Sequence, residues 1–474
     1  MKKGKPRLLN HFFLPEDQHL FDYDQIFSVS SMWVDLGMKD VIATYDLSVR
    51  GIPKNRNFLL FGGLEEIVEG LLNWRYTKEE VDFLLNNKII TPKMARLMRN
   101  FKFKGDIWAM PEGTVFFPGE PVVKITGRIW EINLFTFFLM NALTSNTIFL
   151  SKAVRSFLVA AGKINVVTCP VTRAHSNESS LKFGRAVYIL GAPSTIVPAF
   201  ARKFNLPISK VNTKAYHAFI KSFPSELEAM RAAASVFPGI GFMVDTYDFK
   251  QGVKNAITVA KELKKKGQTI SAVVIDSGKD VYDFIRQARY ARSVLDKAGL
   301  PNVRVNVSGN FDEWKLAELV KEKAPVNGVV ICTELVTSSD DPKLEAVLKL
   351  VEYKKGKEVF YATKLSRGKI SYPGRKQVFR KYRNRLMRED TIGLEGEKLG
   401  KPLLKKMVVK GKLKYKLPVL DQIKKYTKKE LTTLPLNLKR IDKQFAYPVS
   451  SSKKLSKLFI KAKKGHLEDP YLPA

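Results

Sequence analysis

The fold is decided by the stretch GFMVDTYDFKQGVKNAITVAKELKKKGQTISAVVIDSG (Gly241–Gly278). It begins and ends with a short, continuously apolar run, and the segment between them has the three-to-four-residue apolar spacing of an amphipathic helix. Apolar runs without polar alternation are typical of strands that are buried on both faces, as in parallel sheets. The stretch therefore predicts a strand, a crossover helix and a second strand that runs parallel to the first.

The same rhythm continues on both sides of this stretch. Further apolar runs, each ending in polar or small residues, are INVVTCPVTR (Ile164–Arg173), YILGAPST (Tyr188–Thr195), VRVNVSGN (Val303–Asn310) and GVVICTE (Gly328–Glu334). Together with the first two they predict six strands separated by helices, which is an α/β fold. The pattern alone leaves two architectures open, a barrel and an open doubly wound sheet.

Polar side chains follow the predicted strands. They are Asp245, Asp276, Ser277, Ser308, Asn310 and Thr333. In both architectures the carboxyl ends of parallel strands share one edge, where the chemistry of such folds lies. We therefore expect these side chains to surround one site.

Composition limits the class of protein. The 474 residues, 45% of them hydrophobic, are enough for a large core and about two or three domains. Two cysteines, Cys169 and Cys332, exclude a disulfide framework and a CxxC zinc site, and they favour a reducing cytoplasm. The N-terminal apolar run is too interrupted for a signal peptide. Ile129–Leu150 contains a glutamate and three asparagines, so we interpret it as a buried helix and expect no membrane partner.

Positive charge is concentrated near the C-terminus. The net charge of the chain is +35, and residues 361–474 contain 31 Lys and Arg against 9 Asp and Glu. A lysine-rich, solvated surface explains this excess, but so does attraction of a polyanion such as nucleic acid. The sequence leaves both explanations open.

A second stretch, KLSRGKISYPGRKQVFR (Lys364–Arg380), contains two turn pairs and would otherwise be interpreted as a basic surface hairpin. It closely resembles a C-terminal signature of the nicotinate phosphoribosyltransferase family. Six further segments resemble motifs of that family in the expected order: GDIWAMPEGTVFFPGEPVVKITG (Gly105–Gly127), MVDTYD (Met243–Asp248), VIDSGK (Val274–Lys279), SGNFDE (Ser308–Glu313), TELVTSSDDPKL (Thr333–Leu344) and YPVSSSKKL (Tyr447–Leu455). The resemblance spans nearly the whole chain.

The resemblance implies a particular α/β fold. It is the irregular α/β barrel of type II phosphoribosyltransferases, with an N-terminal α+β domain that the C-terminal segment completes. We therefore expect an N-terminal domain over 1–128, a barrel over 129–350 and a basic C-terminal segment over 351–474 that packs back on the N-terminal domain.

The resemblance also implies a function. Members of the family join nicotinate to the ribose of phosphoribosyl pyrophosphate (PRPP), forming nicotinate mononucleotide in NAD biosynthesis and salvage. ATP assists as a co-substrate, and Mg²⁺ accompanies the pyrophosphate. The chain is thus expected to be a cytoplasmic glycosyltransferase and ligase that acts as a homodimer on nicotinate and PRPP.

Anion-binding residues follow from the matched motifs. The small turn Ser308–Asn310 precedes a predicted helix, and the flexible Gly309 allows backbone N–H groups to approach a phosphate. Arg173 occupies a family arginine position and suits bidentate pairing with the nicotinate carboxylate or a phosphate. Thr333 supplies a hydroxyl and an N–H group to the second phosphate loop. No protein side chain is assigned to a metal.

The catalytic residues are expected to be His217 and Asp276, with Asp245 and Ser277 as further polar ligands. The family carries a T-x-A-H motif whose histidine is phosphorylated by ATP. Here Thr213 begins that motif, but Tyr216 takes the aligned position and His217 follows it. A shift of one residue along a strand moves a side chain to the other face, and a bulge or a loop would restore it.

Other positions depart from the family pattern. The second phosphate loop, G-V-G-T in the family, has Val330 and Cys332 where the glycines stand. Val274 and Lys279 replace a usual arginine and a usual aspartate around the conserved Asp-Ser-Gly of that motif. These departures place phosphate binding in question.

Three functions remain after these observations. The first is a working nicotinate phosphoribosyltransferase with a divergent sequence. The second is a catalytically inactive member recruited as a polyanion-binding protein, with RNA as the expected polyanion, or as a structural protein. The third is an enzyme whose acceptor base has changed.

Overall fold

The computed structural model describes residues 18–208, 213–237, 239–366 and 369–467. The chain divides into two compact units. The first unit combines Met1–Ser151 with Lys343–Ala474, and the second is Lys152–Pro342.

Nineteen strands lie in the described residues: β1 (Ile42–Val49), β2 (Leu59–Leu60), β3 (Asp106–Ala109), β4 (Val115–Phe116), β5 (Pro121–Arg128), β6 (Asn165–Val167), β7 (Thr213–Ala215), β8 (Gly241–Met243), β9 (Ala272–Ile275), β10 (Arg304–Val307), β11 (Gly328–Val330), β12 (Ala346–Lys355), β13 (Glu358–Tyr361), β14 (Lys376–Arg383), β15 (Leu386–Leu394), β16 (Lys401–Pro402), β17 (Lys405–Val409), β18 (Lys412–Leu413) and β19 (Val449–Ser451).

Sixteen α-helices accompany them: α1 (Asp24–Asp35), α2 (Leu64–Asn73), α3 (Lys78–Asn86), α4 (Pro92–Arg99), α5 (Ile129–Asn133), α6 (Thr136–Ala160), α7 (Asn177–Leu190), α8 (Pro198–Phe204), α9 (His217–Ile220), α10 (Glu226–Val236), α11 (Phe249–Lys264), α12 (Val281–Lys297), α13 (Glu313–Lys321), α14 (Thr333–Val336), α15 (Leu420–Thr432) and α16 (Lys453–Leu467). Short 3-10 turns are Gln18–Leu20, Pro170–Thr172 and Leu436–Lys439.

The second unit is built on a six-stranded sheet in the order β6-β11-β10-β9-β8-β7, and every described pair in it is parallel. From β7 to β11, strands that are neighbours in sequence are neighbours in the sheet, and β6, the first strand, lies beside β11, the last. That order follows the circumference of a barrel, whereas a doubly wound sheet reverses at a switch point. The expected type II α/β barrel is therefore confirmed. In the described residues, β6 and β7 are the two edge strands of its sheet.

The core of this unit explains the apolar runs. Val273, Val305 and Val329, from three successive positions in the sheet, are completely buried. Helices cover the sheet, so both faces of its central strands need apolar side chains. At about 25 cal/mol per Å² of buried apolar surface, these side chains contribute a large part of the stability of the unit.

One predicted strand is wrong. Tyr188–Leu190 of the run YILGAPST forms the last turn of α7, which begins after the cap Ser176. The Ser176 hydroxyl accepts a hydrogen bond from the N–H of Ser179, which starts the helix well before the apolar run. A short apolar run cannot by itself distinguish a strand from the end of a buried helix. Strand β7, which sequence reasoning did not predict, completes the six.

The first unit contains a seven-stranded antiparallel sheet in the order β13-β12-β1-β5-β3-β17-β18. Strands β1, β3 and β5 come from the N-terminal part, and strands from beyond residue 345 flank them on both sides. A second sheet, β16-β14-β15-β19, comes from the C-terminal part alone. The expectation that the C-terminal segment completes the N-terminal domain is confirmed.

The bounds of the compact units differ from the sequence-based domain bounds. Residues 346–350, expected in the barrel, belong to β12, which pairs along its length with β1. Helix α6 begins in the first unit and ends in the second. The division of the chain into domains over 1–128, 129–350 and 351–474 therefore stays a prediction. No helix in the described part of the chain is long and apolar enough to cross a membrane.

The signature segment Lys364–Arg380 is not a surface hairpin in its second half. Lys376 is buried and its ammonium lies 2.8 Å from the carboxylate of Asp46, while burial lowers the pKa of the lysine. Arg380 is fully buried and donates to the carboxylate of Asp390 over 2.6 Å and to the carbonyl of Val115 over 2.8 Å. These cations stabilise the interior of the first unit instead of enlarging its charged surface.

Candidate active site

The site is built where the parallel strands end. Each of the six strands β6–β11 is followed at its carboxyl end by polar or reactive residues, as the sequence predicted for five of them. The strands are parallel and adjacent, so these residues surround a single mouth of the barrel.

Asp245 organises the turn after the neighbouring strand. Its Oδ2 accepts hydrogen bonds from the N–H groups of Asp276, over 2.8 Å, and Ser277, over 2.6 Å. Its Oδ1 is buried and has no hydrogen-bond partner among the described residues. Asp245 therefore holds the backbone from which the Asp276 side chain projects.

Helix capping, the ordinary role of an aspartate in such turns, belongs to other residues. Asp248, Asp280 and Asp312 accept the N–H groups that open α11, α12 and α13, over 2.8, 2.8 and 2.7 Å. Because these three satisfy the helix starts, Asp245 and Asp276 are left to the mouth of the barrel.

The expected catalytic pair, His217 and Asp276, is brought together. His217 Nε2 lies 3.9 Å from Asp276 Oδ2, and the two side chains are 35% and 38% exposed. His217 Nδ1 lies 2.9 Å from the Thr246 hydroxyl. The imidazole is thus held from one side and directed toward a carboxylate, while both groups stay accessible to a ligand.

Strand β7 contains a bulge shortly before His217. In the pairing of β7 with β8, Thr213 opposes Gly241 and Ala215 opposes Phe242, so β7 contains one extra residue. His217 then begins α9, while Tyr216 before it is 61% exposed. For Thr213 itself, the structure describes the backbone alone.

The turn Ser308–Asn310 packs closely against the end of β9. The N–H of Ser308 donates to the carbonyl of Ile275 over 2.7 Å, which fixes the start of the turn. Gly309 adopts φ +129°, and a Cβ there would lie 3.2 Å from the carbonyl oxygen of Asp276. Gly309 and Asn310 are exposed at the mouth. Only glycine fits this close approach without strain.

The second loop has no left-handed residue at the positions of its lost glycines. Cys332 has φ −116°, and neither it nor Val330 belongs to the residues with positive φ. The substitutions are therefore accommodated without left-handed strain, so the expected conformational penalty does not arise. Thr333 begins α14, and its carbonyl accepts the Thr337 hydroxyl over 2.8 Å.

Arg173 ends the 3-10 turn that follows β6, and it is exposed. Among the described residues, its guanidinium contacts only the carbonyl of Thr172, over 3.3 Å. An arginine at the mouth without a carboxylate partner is free to pair with an anionic ligand.

Sequence reasoning missed two residues near His217 and Asp276. Thr246 lies inside the quoted motif MVDTYD, which was the available signal, whereas Glu226 lies in no motif. Glu226 is buried, and its Oε2 accepts the Asn255 amide over 2.9 Å. Burial raises the pKa of Glu226, and the charge of Asp245 adds to that shift.

Val274, which replaces a family arginine, packs inside the unit. It lies in an apolar cluster with Ile220, Ala229 and Met243, and Met243 is its register partner on β8. An arginine would not fit this cluster without a buried charge. Within the described residues, no group of three or more His, Cys, Asp or Glu side chains could hold a metal ion.

Comparison with known proteins reveals similar sequences along most of the chain. Residues 25–144 match the nicotinate phosphoribosyltransferase N-terminal domain family, and residues 398–459 match the corresponding C-terminal domain family. The nicotinate phosphoribosyltransferase pncB2 of Mycobacterium tuberculosis is 34% identical over 416 residues, which is 87% of each chain. The nicotinate phosphoribosyltransferase of Bacillus subtilis is 28% identical over 460 residues, 91% of this chain and 92% of that protein.

Solved structures share the fold. The crystal structure of human nicotinic acid phosphoribosyltransferase superimposes with a TM-score of 0.80 at 22% identity and covers 93% of this chain and 100% of its own. The nicotinate-nucleotide pyrophosphorylase of Pyrococcus furiosus gives a TM-score of 0.69 at 21% identity, over 90% of this chain and 98% of its own.

Proposed function

Since the chain belongs to the nicotinate phosphoribosyltransferase family, we propose that it joins nicotinate to PRPP, forming nicotinate mononucleotide and releasing pyrophosphate. Family membership supports a role in NAD salvage. The observation that carries the proposal is the approach of His217 to Asp276, 3.9 Å apart at the barrel mouth.

Anion recognition is assigned to the exposed groups of the mouth. The turn at Gly309 offers backbone N–H groups to a phosphate of PRPP, and a backbone cradle of this kind needs no lysine. Arg173 pairs with the nicotinate carboxylate or with a phosphate. Thr333 adds a hydroxyl at the neighbouring strand end.

The acidic groups are assigned to the ribose. Positive charge develops at the ribose carbon as the pyrophosphate departs and the nicotinate nitrogen approaches. The carboxylate of Asp276, held in place through the N–H bonds that Asp245 accepts, stabilises that charge. Magnesium enters as part of the PRPP complex, and we assign it no protein side chain.

ATP coupling is assigned to His217. An imidazole that accepts a phosphoryl group must have one nitrogen accessible, and its ring must be held in orientation. Thr246 orients the ring through Nδ1, and Nε2 lies 3.9 Å from Asp276 in a side chain that is 35% exposed. We therefore propose that His217, not Tyr216, receives the phosphoryl group of ATP.

The experiment is a direct assay of the purified protein with nicotinate and magnesium PRPP, with and without ATP, and with product detection by mass spectrometry. Nicotinamide serves as the matched acceptor, because it has the same ring without the carboxylate. Formation of nicotinate mononucleotide from nicotinate alone supports the proposal. Turnover of nicotinamide instead would indicate a changed acceptor, and no product with either would support the inactive alternative.

A second candidate function, polyanion binding, is favoured by one surface. The segment KLKYK (Lys412–Lys416) is exposed throughout, and Tyr415 is 59% exposed. The ammonium of Lys414 lies 5.1 Å from the centre of the Tyr415 ring. Interleaved lysines and an exposed aromatic ring suit a phosphate backbone and an unpaired base.

Salt titration of RNA binding tests this candidate. With the lysines of KLKYK replaced by glutamine, log K should fall less steeply with log salt, by about 0.7 per lost phosphate contact on a single strand. The matched control removes the same charge from the exposed Lys457, Lys461 and Lys464 of α16. If log K falls equally steeply with log salt in both variants, the lysines of KLKYK are a solvated surface and not an RNA-binding site.

A homodimer and a cytoplasmic location remain proposals from the family resemblance. The exposed Met32 and Leu36 at the end of α1 support an oligomer, because a partner would cover this apolar surface. Light scattering on the purified protein measures the oligomeric state directly.

A further inference from the structure

Cys169 and Cys332 are the two cysteines of the sequence, and the fold places them side by side at the barrel mouth. Val167 of β6 is the register partner of Val330 in β11, and the N–H of Ile331 donates to the carbonyl of Val167 over 2.9 Å. Each cysteine therefore lies two residues beyond a paired position, just after two neighbouring strands end, and neighbouring strands are about 4.8 Å apart. That spacing lies within the range of about 4.4–6.8 Å between Cα atoms that a disulfide requires.

The strand register places the two cysteines next to each other, and their surroundings distinguish them. Interaction with the Cys332 thiol lowers the pKa of Cys169 to about 7, with help from the Thr172 hydroxyl and the charge of Arg173. Burial and the charge of Asp276 oppose the shift. The same interaction, together with burial, raises the pKa of Cys332. Cys169 is therefore the better nucleophile of the two, and Cys332 is its partner.

We propose that Cys169 and Cys332 form a redox-active thiol pair, a site of reversible modification by peroxides that closes a disulfide across two loops of the barrel mouth. Both cysteines are half-buried, so a small peroxide reaches them. The chemistry of the pair is independent of the proposed enzyme activity.

The oxidation of the thiol pair by a peroxide takes two steps. The Cys169 thiolate attacks one oxygen of the peroxide, a sulfur–oxygen bond forms, the oxygen–oxygen bond breaks, and hydroxide leaves. The sulfur of Cys332 then attacks the Cys169 sulfenic acid, the disulfide forms, and the departing hydroxyl takes the Cys332 proton as water. The two sulfurs lose two electrons in total, and the peroxide gains them. An external dithiol reverses the modification.

The disulfide would connect two loops that the proposed function uses. Cys169 precedes the turn that ends at Arg173, and Cys332 immediately precedes Thr333. Holding the two strand ends together restricts the approach of a phosphate between them. We therefore expect oxidation to raise the KM for PRPP, and this consequence alone rests on the proposed function.

The test uses the full-length wild-type protein, which is reduced, desalted and titrated with hydrogen peroxide at pH 7. Free thiols are then blocked with N-ethylmaleimide, and intact mass and mobility on a non-reducing gel are measured. The expected result is a monomer that loses both maleimide adducts together, is lighter by two hydrogen atoms, and recovers both adducts after dithiothreitol. Retention of both thiols, their independent loss, or a disulfide between chains would overturn the proposal.

Two variants test the order of the steps. Cys332→Ser should stop at a sulfenic acid on Cys169, which dimedone traps. Cys169→Ser should react with peroxide about tenfold more slowly than Cys332→Ser, because burial still disfavours the thiolate of the remaining Cys332. Equal rates for the two variants would overturn the assignment of Cys169 as the nucleophile. If no phosphoribosyltransferase activity is found, the mass measurements still decide the proposal.

Discussion

Arg380 and Asp390 form a completely buried ion pair between neighbouring strands. The guanidinium Nη2 lies 2.6 Å from one carboxylate oxygen, and Nε lies 2.9 Å from the other, so the pairing is bidentate. Tyr447 donates its hydroxyl to the same carboxylate over 3.1 Å. Arg380 is the last residue of the segment that first indicated the family, and its role is structural: it joins β14 and β15 inside the first unit.

The first prediction concerns this pair. Arg380→Met should lower the free energy of unfolding by about 3–5 kcal/mol, because it leaves the buried carboxylate of Asp390 without its cation. Chemical denaturation measures the change. The matched control is Lys381→Met, which removes the next pair along the same two strands. Lys381 and Glu389 lie 2.9 Å apart and are exposed to solvent, so the loss there should be much smaller. Similar losses for both variants would contradict the structural role.

The second prediction concerns Arg173. Replacement by alanine removes a charge-assisted pair with an anionic substrate, worth about 1.5–3 kcal/mol. Since about 1.4 kcal/mol corresponds to a factor of ten, the KM for nicotinate or for PRPP should rise tenfold or more. Steady-state kinetics measures this change. Arg289→Ala is the control, because that arginine is exposed on α12 and pairs with Glu322 at 3.5 Å. An unchanged KM in the Arg173 variant would count against its assignment.

The third prediction concerns Gly309. Gly309→Ala should weaken PRPP binding, because the added Cβ would meet the Asp276 carbonyl oxygen at 3.2 Å and the Phe284 ring at 3.1 Å. Calorimetric titration with magnesium PRPP measures the loss. Gly299→Ala is the control: Gly299 has φ +74° and no atom within 4 Å of the added Cβ. Both variants should lose about 1–2 kcal/mol of stability from backbone strain, but only the first should lose affinity.

The fourth prediction separates His217 from Tyr216. His217→Asn should abolish ATP stimulation of turnover and the acid-labile phosphoprotein formed with radiolabelled ATP, because the asparagine amide cannot accept the phosphoryl group. Tyr216→Phe should retain both, since Tyr216 points into solvent. Phosphorylation of the His217 variant would show that the acceptor lies elsewhere.

Much of the fold follows from local patterns in the sequence. Short runs such as Ala272–Ile275 are apolar without alternation, and that pattern requires a strand covered on both faces. The positions of Asp245, Asp276 and Ser308 after such runs placed them at one edge, because parallel strands share a direction. The pattern left a barrel and an open sheet as alternatives. The resemblance to the family favoured the barrel, and the strand order agrees with a barrel.

Sequence by itself thus determined the element types, the edge that carries the polar residues and the family. The tertiary structure decided which residues meet there. The bulge in β7 directs His217 toward Asp276, other aspartates cap the helices, and two cysteines far apart in sequence become neighbours through the pairing of β6 with β11. The same packing buries Lys376 and Arg380, which the sequence would place on a charged surface. The physical reason is that hydrophobic periodicity reports burial along one element, whereas register, closure and ion pairing depend on which elements become neighbours.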